Sequence, residues 1–131
     1  MKAAAASEKK IIMLVDDNEI DNFLHKRIIE STDIAETIIV KNSGKSALEY
    51  FKEHLHEVNK LPHLLFLDID MPLVDGFAFL DKFDKYPDFV KEKCHIVVLS
   101  SSGSNHDREK FTMNKNVKEF LVKPLTLEAL V

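Results

Sequence analysis

Apolar residues in this chain gather into short runs, and the polar stretches between them carry apolar side chains at helical spacing. Ile-Ile-Met-Leu-Val at 11–15, Leu-Leu-Phe-Leu at 64–67 and His-Ile-Val-Val-Leu at 95–99 are bounded by turn residues. Such runs read as strands buried on both faces, as in a parallel sheet. Thr-Ile-Ile-Val at 37–40, broken by Asn42-Ser43-Gly44, and Val-Lys-Glu-Phe-Leu-Val at 117–122 complete five predicted strands. Between the first two, Ile20, Phe23, Leu24 and Ile28 form a helical stripe, with Asp21, Asn22, His25 and Lys26 elsewhere on the wheel. Asp17 or Asn18 would cap that helix, and its spacing puts His25 on the exposed side, beside the strand ends, where a partner docks. Further helices are predicted over 46–59, over 76–86 up to Pro87, over 107–114, and from Leu127 with Thr126 as cap.

Strand and helix alternate five times, so the expected fold is α/β: a five-stranded parallel sheet, doubly wound, with helices on both faces. The flavodoxin-like order 2-1-3-4-5 suits it and makes strands one, three, four and five contiguous. Their carboxyl ends carry Asp16-Asp17, Asp68, Ser100 and Lys123, which then converge on one crevice. Residues 1–9 read as a disordered tail and 10–131 as one domain. The last helix breaks off after about a turn and a half, so a truncated or short end is expected.

Composition narrows the function. A net charge of −4 argues against holding nucleic acid by bulk electrostatics. The one cysteine, Cys94, at the start of strand four, permits no internal disulfide and reads as a small semi-buried residue. The six histidines show no metal-ligand grouping, and His54 and His56, two apart on a helix, do not share a face. No apolar run approaches a membrane span, so neither membrane nor direct nucleic-acid contact is expected and a cytoplasmic location is.

The crevice has its own chemistry. Carboxylates at adjacent strand ends repel one another. Oxygen-rich sites of this kind bind magnesium together with phosphate oxygens. A divalent ion would leave Asp68 free as a nucleophile, since carboxylates do form aspartyl phosphates. Lys123 is placed to neutralise a transferring phosphoryl group, and Ser100 to donate a hydroxyl to it. Each residue alone has a plainer reading: Asp16-Asp17 as an acidic helix start, Ser100 as loop, Phe120 as core, Lys123 as surface. Their joint placement favours the site.

Val15-Asp16-Asp17-Asn18, Leu67-Asp68-Ile69-Asp70-Met71-Pro72 with Asp75-Gly76, Leu99-Ser100-Ser101 and Phe120-Leu121-Val122-Lys123-Pro124 together resemble the receiver domain of two-component response regulators. The likeness covers about residues 10–131 and is nearest to the single-domain chemotaxis-type receivers. It implies that Asp68 accepts a phosphoryl group from a sensor histidine kinase or a histidine phosphotransfer protein. It implies a Mg2+ site (or Mn2+) made by Asp16, Asp17, Asp68 and the backbone carbonyl of Asp70. Ser100, Ser101 and Lys123 would bind the phosphoryl group, and Ser100 with Phe120 would form the switch. Asp70 and Ser102 match positions that tune phosphoryl lifetime, and Lys123-Pro124 matches the family's cis peptide. The implied output is a changed surface on the fourth helix, fifth strand and fifth helix, read by an effector the sequence does not identify. Such a domain promotes its own phosphorylation and dephosphorylation without being a turnover enzyme; oligomeric state stays open. Two departures stand out: Ser100 replaces the commoner threonine, and Phe120 lacks a tyrosine hydroxyl, so burial must drive its switching.

Two other readings compete. Asp68-Ile69-Asp70 also resembles the nucleophile motif of haloacid-dehalogenase-type phosphatases, but Pro72 and the short chain count against that. A flavodoxin-like FMN protein would need a phosphate loop after strand one, where Asp16-Asp17 is electrostatically wrong.

Overall fold

The computed structural model describes residues 9–69, 71, 73–101, 109–111 and 113–130, without the side chains of 73–75. Five strands form the sheet: β1 (Lys10–Val15), β2 (Ala35–Lys41), β3 (Leu64–Asp68), β4 (His95–Ser100) and β5 (Val117–Val122). They lie in the order β2-β1-β3-β4-β5, and every pairing is parallel. Helices α1 (Glu19–Thr32), α2 (Gly44–His54), α3 (Leu73–Asp84), α4 (Asp88–Lys93) and α5 (Leu127–Leu130) connect or follow them. Residues 109–111 are also helical, within the stretch predicted as the fourth helix.

Alternate residues of the central strands face opposite layers, as the two-residue period of a strand requires. Met13, Val15, Leu65, Leu67, Ile96, Val98 and Phe120 share one core with Ala47 and Phe51 of α2 and Phe79 and Phe83 of α3. Ile12, Leu14, Phe66, Val97 and Leu99 share the other with Ile29 of α1 and Leu130 of α5. The aromatic rings of Phe51, Phe79, Phe83 and Tyr86 pack edge-on or stacked, at centroid separations of 5.7–6.2 Å. Burial on both faces explains the unbroken apolar runs of β1, β3 and β4.

Several predicted bounds move. The second helix stops at His54, and a 3-10 turn at Val58–Lys60 replaces its expected last turn. Ser43 caps that helix, its Oγ accepting from the Ser46 N–H at 3.0 Å. The third helix starts earlier, at Leu73. Beyond Pro87 lies α4, a short helix the spacing did not predict, which buries Val90. Cys94 precedes β4 and is fully buried, not semi-buried, and burial pushes its thiol pKa up. The expected tail lies outside the described residues, apart from Lys9.

The largest correction concerns α1. Asn18 is its cap, its Oδ1 accepting from the Ile20 and Asp21 N–H groups at 2.9 and 3.0 Å. Yet Ile20, Phe23 and Leu24 are exposed, whereas Asn22 and His25 are buried; His25 is only 3% exposed. The first turns of α1 lie against the polar carboxyl edge of the sheet, so polar side chains turn inward there. Asn22 Nδ2 donates to the Asp16 carbonyl at 2.8 Å. Farther along, Ile29, outside the expected stripe, is buried against the apolar sheet, and of the stripe only Ile28 packs partly against it.

Candidate functional site

Each crevice residue owes its position to a strand end. The β1 ladder runs on through the Asp16 N–H, which donates to the Lys41 carbonyl at 3.1 Å. On the other side, the Ile69 N–H donates to Leu99 O at 3.0 Å and steers the chain just beyond Asp68. The Lys123 N–H donates to Ser100 O at 2.7 Å, tying the end of β5 to that of β4. The Lys123–Pro124 peptide is cis.

Asp16, Asp17 and Asp68 each bring a carboxylate oxygen into one group spanning no more than 4.8 Å. Asp16 and Asp68 are buried, and Asp17 is exposed. Three hard oxygen donors with an open side are the chemistry a divalent cation of the magnesium or manganese type requires. Asp70 and Ser102 lie outside the described residues.

Lys123 reaches over the same group. Its Nζ donates to Asp16 Oδ2 at 3.0 Å and to Asp21 Oδ2 at 2.8 Å, and stands 3.2 Å from Asp68 Oδ1. Burial works against its charge, but hydrogen bonds to Asp21 and Asp16 and the Asp68 charge outweigh it, so its pKa is raised. The ammonium therefore stays charged throughout the ordinary pH range. His25 responds in the opposite sense. Burial lowers its pKa, the Lys123 charge lowers it further, and Asp21 and Asp16 oppose.

Ser100 is buried at the end of β4, opposite Val122 in the β5 register, and Ser101 beyond it is exposed. Phe120 pairs with Val98 and lies in the core, 7% exposed, so its ring already occupies an inward position. Asp16, Asp17, Asp68 and Lys123 are thus brought to one place, with Ser100 at the neighbouring strand end. Asp21, Asn22 and His25 are the additions. Their polar character within a helix was visible, but a helical wheel does not show that one face meets a polar sheet edge.

Fold and site together define a class: a flavodoxin-like domain whose sheet edge carries a cation-binding carboxylate group with a lysine across it. Residues 12–131 match the response regulator receiver domain, and the chain belongs to that family. A probable methanogenesis regulatory protein of Methanothrix harundinacea, FilR2, is 32% identical over 95% of this chain and 79% of its own length. A two component response regulator from Cytophaga hutchinsonii superposes with a TM-score of 0.83 at 32% identity, covering 93% of this chain and 92% of that one. The Mn2+-bound form of response regulator Rcp1 superposes with a TM-score of 0.71 at 27% identity, covering 92% and 86%. This chain is accordingly a signalling phosphoacceptor domain and not a turnover enzyme, and the phosphatase alternative has no support. Among the described residues, no helix is long and apolar enough to cross a membrane.

Proposed function

We propose that Asp68 is the phosphoacceptor of a magnesium-dependent switch, supplied by a sensor histidine kinase or a histidine phosphotransfer protein. The observation that carries this reading is the buried Asp68 carboxylate, grouped with Asp16 and Asp17 and 3.2 Å from the Lys123 ammonium. An Asp68 oxygen attacks phosphorus, a P–O bond forms, the P–N bond of the phosphohistidine breaks, and the leaving imidazole takes up a proton. Asp16, Asp17 and Asp68 would hold Mg2+ or Mn2+, with the Asp70 backbone carbonyl as the fourth ligand that the family resemblance implies. The ion supplies charge neutralisation at the phosphoryl oxygens. This arrangement lets the domain promote its own phosphorylation, and water attack later reverses it.

After transfer, Lys123 pairs with a phosphoryl oxygen and the hydroxyls of Ser100 and Ser101 donate to others. As the family resemblance implies, Asp70 and Ser102 would tune the lifetime of the phosphoryl group. Phe120 has no hydroxyl, so packing alone holds its ring in the inward position. The readout surface comprises residues 109–111, β5 and α5, and the effector that reads it lies downstream of this domain. On α1, the exposed Ile20, Phe23 and Leu24 lie beside the crevice and suit an apolar face of the phosphodonor.

Incubation with acetyl phosphate and Mg2+ tests the assignment. The wild type takes up one phosphoryl group per chain, and Asp68→Asn folds normally and takes up none. Uptake by Asp68→Asn would overturn it.

A further inference from the structure

Asp21 is the nearest of the carboxylates around Lys123: its Oδ2 lies 2.8 Å from Nζ, against 3.0 Å for Asp16 and 3.2 Å for Asp68. An ammonium has three N–H donors. Three carboxylates therefore stand within reach of all it can offer, and a new anion must take a donor from one of them. Asp16 and Asp68 belong to the group that fits a divalent cation, and Asp21 does not. When Asp16 and Asp68 share their charge with a metal, Asp21 keeps its own for Lys123. Its place is set locally, because its backbone N–H is held by the Asn18 cap at 3.0 Å. The contact thus ties the first turn of α1 to the end of β5.

We propose that Asp21 is a positioning residue that restrains Lys123 in the resting domain and so raises the threshold for phosphorylation. This rests on the reading of Asp68 as phosphoacceptor. A phosphoryl group on Asp68 competes with Asp21 for the Lys123 ammonium, and its added negative charge repels that of Asp21. Both effects act in the same direction: removing the Asp21 carboxylate favours the phosphorylated geometry. Release of the contact also loosens the α1 side of the crevice when Lys123 moves, which gives α1 a response to phosphorylation.

The test compares wild type, Asp21→Asn, Asp21→Ser and Asp21→Glu with Glu19→Gln, which removes one exposed carboxylate from the same helical turn. Two quantities are measured. One is the affinity for beryllofluoride, a phosphoryl mimic, with Mg2+ present, by calorimetry. The other is the rate at which an amine-directed reagent acylates Lys123 in metal-free protein, read by peptide mass spectrometry. Loss of one charge-assisted hydrogen bond is expected to tighten beryllofluoride binding about tenfold in Asp21→Asn and Asp21→Ser. Acylation of Lys123 quickens in both, Asp21→Glu stays near wild type, and Glu19→Gln changes little. Equal shifts in Asp21→Asn and Glu19→Gln would reduce the effect to net charge and overturn the restraint. Weaker binding in Asp21→Asn and Asp21→Ser would overturn it too. If wild type itself bound no beryllofluoride, or Asp68→Asn bound it equally well, the phosphoacceptor reading would fall and the restraint with it.

Discussion

Asp68 ends β3 and Lys123 follows β5, strands separated in the sheet by β4, yet Lys123 Nζ lies 3.2 Å from Asp68 Oδ1. The Lys123 side chain spans that gap because its own backbone is tied to Ser100 of the intervening strand. Asp16 and Asp68 are buried and share this ammonium, so its removal leaves two carboxylates facing each other in a low-dielectric site. Lys123→Ala is expected to lose about 3 kcal/mol of stability without metal. Urea unfolding with and without Mg2+ checks this: the deficit narrows with Mg2+, because a bound cation restores the missing positive charge. The variant still binds Mg2+ but does not transmit the phosphorylation signal.

His25 gives the domain a pH dependence. Its folded pKa lies below the ordinary value of 6.5, through burial and then the Lys123 charge. Between that lowered value and 6.5 the unfolded chain binds more protons than the folded one, so stability falls as pH drops through this window. Urea midpoints for wild type and His25→Gln across mildly acidic pH test this. The variant lacks that part of the slope, and parallel curves would contradict it.

The apolar residues on the outside of α1 make a separable prediction. Phe23 is 58% exposed and Ile20 69%, so Ile20→Ser with Phe23→Ser leaves stability within about 0.5 kcal/mol of wild type. Uptake from acetyl phosphate is unchanged, because a small donor does not use that surface. Transfer from a histidine-containing protein slows, and transfer rates measured side by side with the two donors distinguish the cases.

Asp33 closes α1 in the left-handed conformation, with φ of 57°. Glycine adopts that conformation without a Cβ clash, so Asp33→Gly should raise stability by about 0.5 kcal/mol. Its ion pair with Lys9 is mostly exposed and subtracts little. Thermal or urea unfolding reads the difference.

The strands and their acidic ends were legible because burial on both faces leaves unbroken apolar runs that stop where Asp16 and Asp68 begin. The α/β alternation pointed to a doubly wound parallel sheet, and the flavodoxin-like order that suits five such strands brought together the residues from β1, β3 and β5. The inner face of α1 was not legible, for a reason that lies in the fold. A helical wheel assumes an apolar surface opposite the helix, but Asn22 and His25 meet the polar edge of the sheet. Asp21 was hidden by the same assumption, since its partner lies far off in sequence and only the folded sheet brings it to 2.8 Å. The short α4 was missed because one buried residue, Val90, is too little signal for periodicity to register.

Borohydride trapping bears most directly on the central claim, since it reduces an acyl phosphate to an alcohol and marks the residue that carried it. After treatment with phosphoramidate and Mg2+, peptide mapping should find homoserine at position 68 alone, and none when a chelator replaces Mg2+. A reduced site at Asp16, Asp17 or Asp21, or the same yield at position 68 without a divalent ion, would contradict the account.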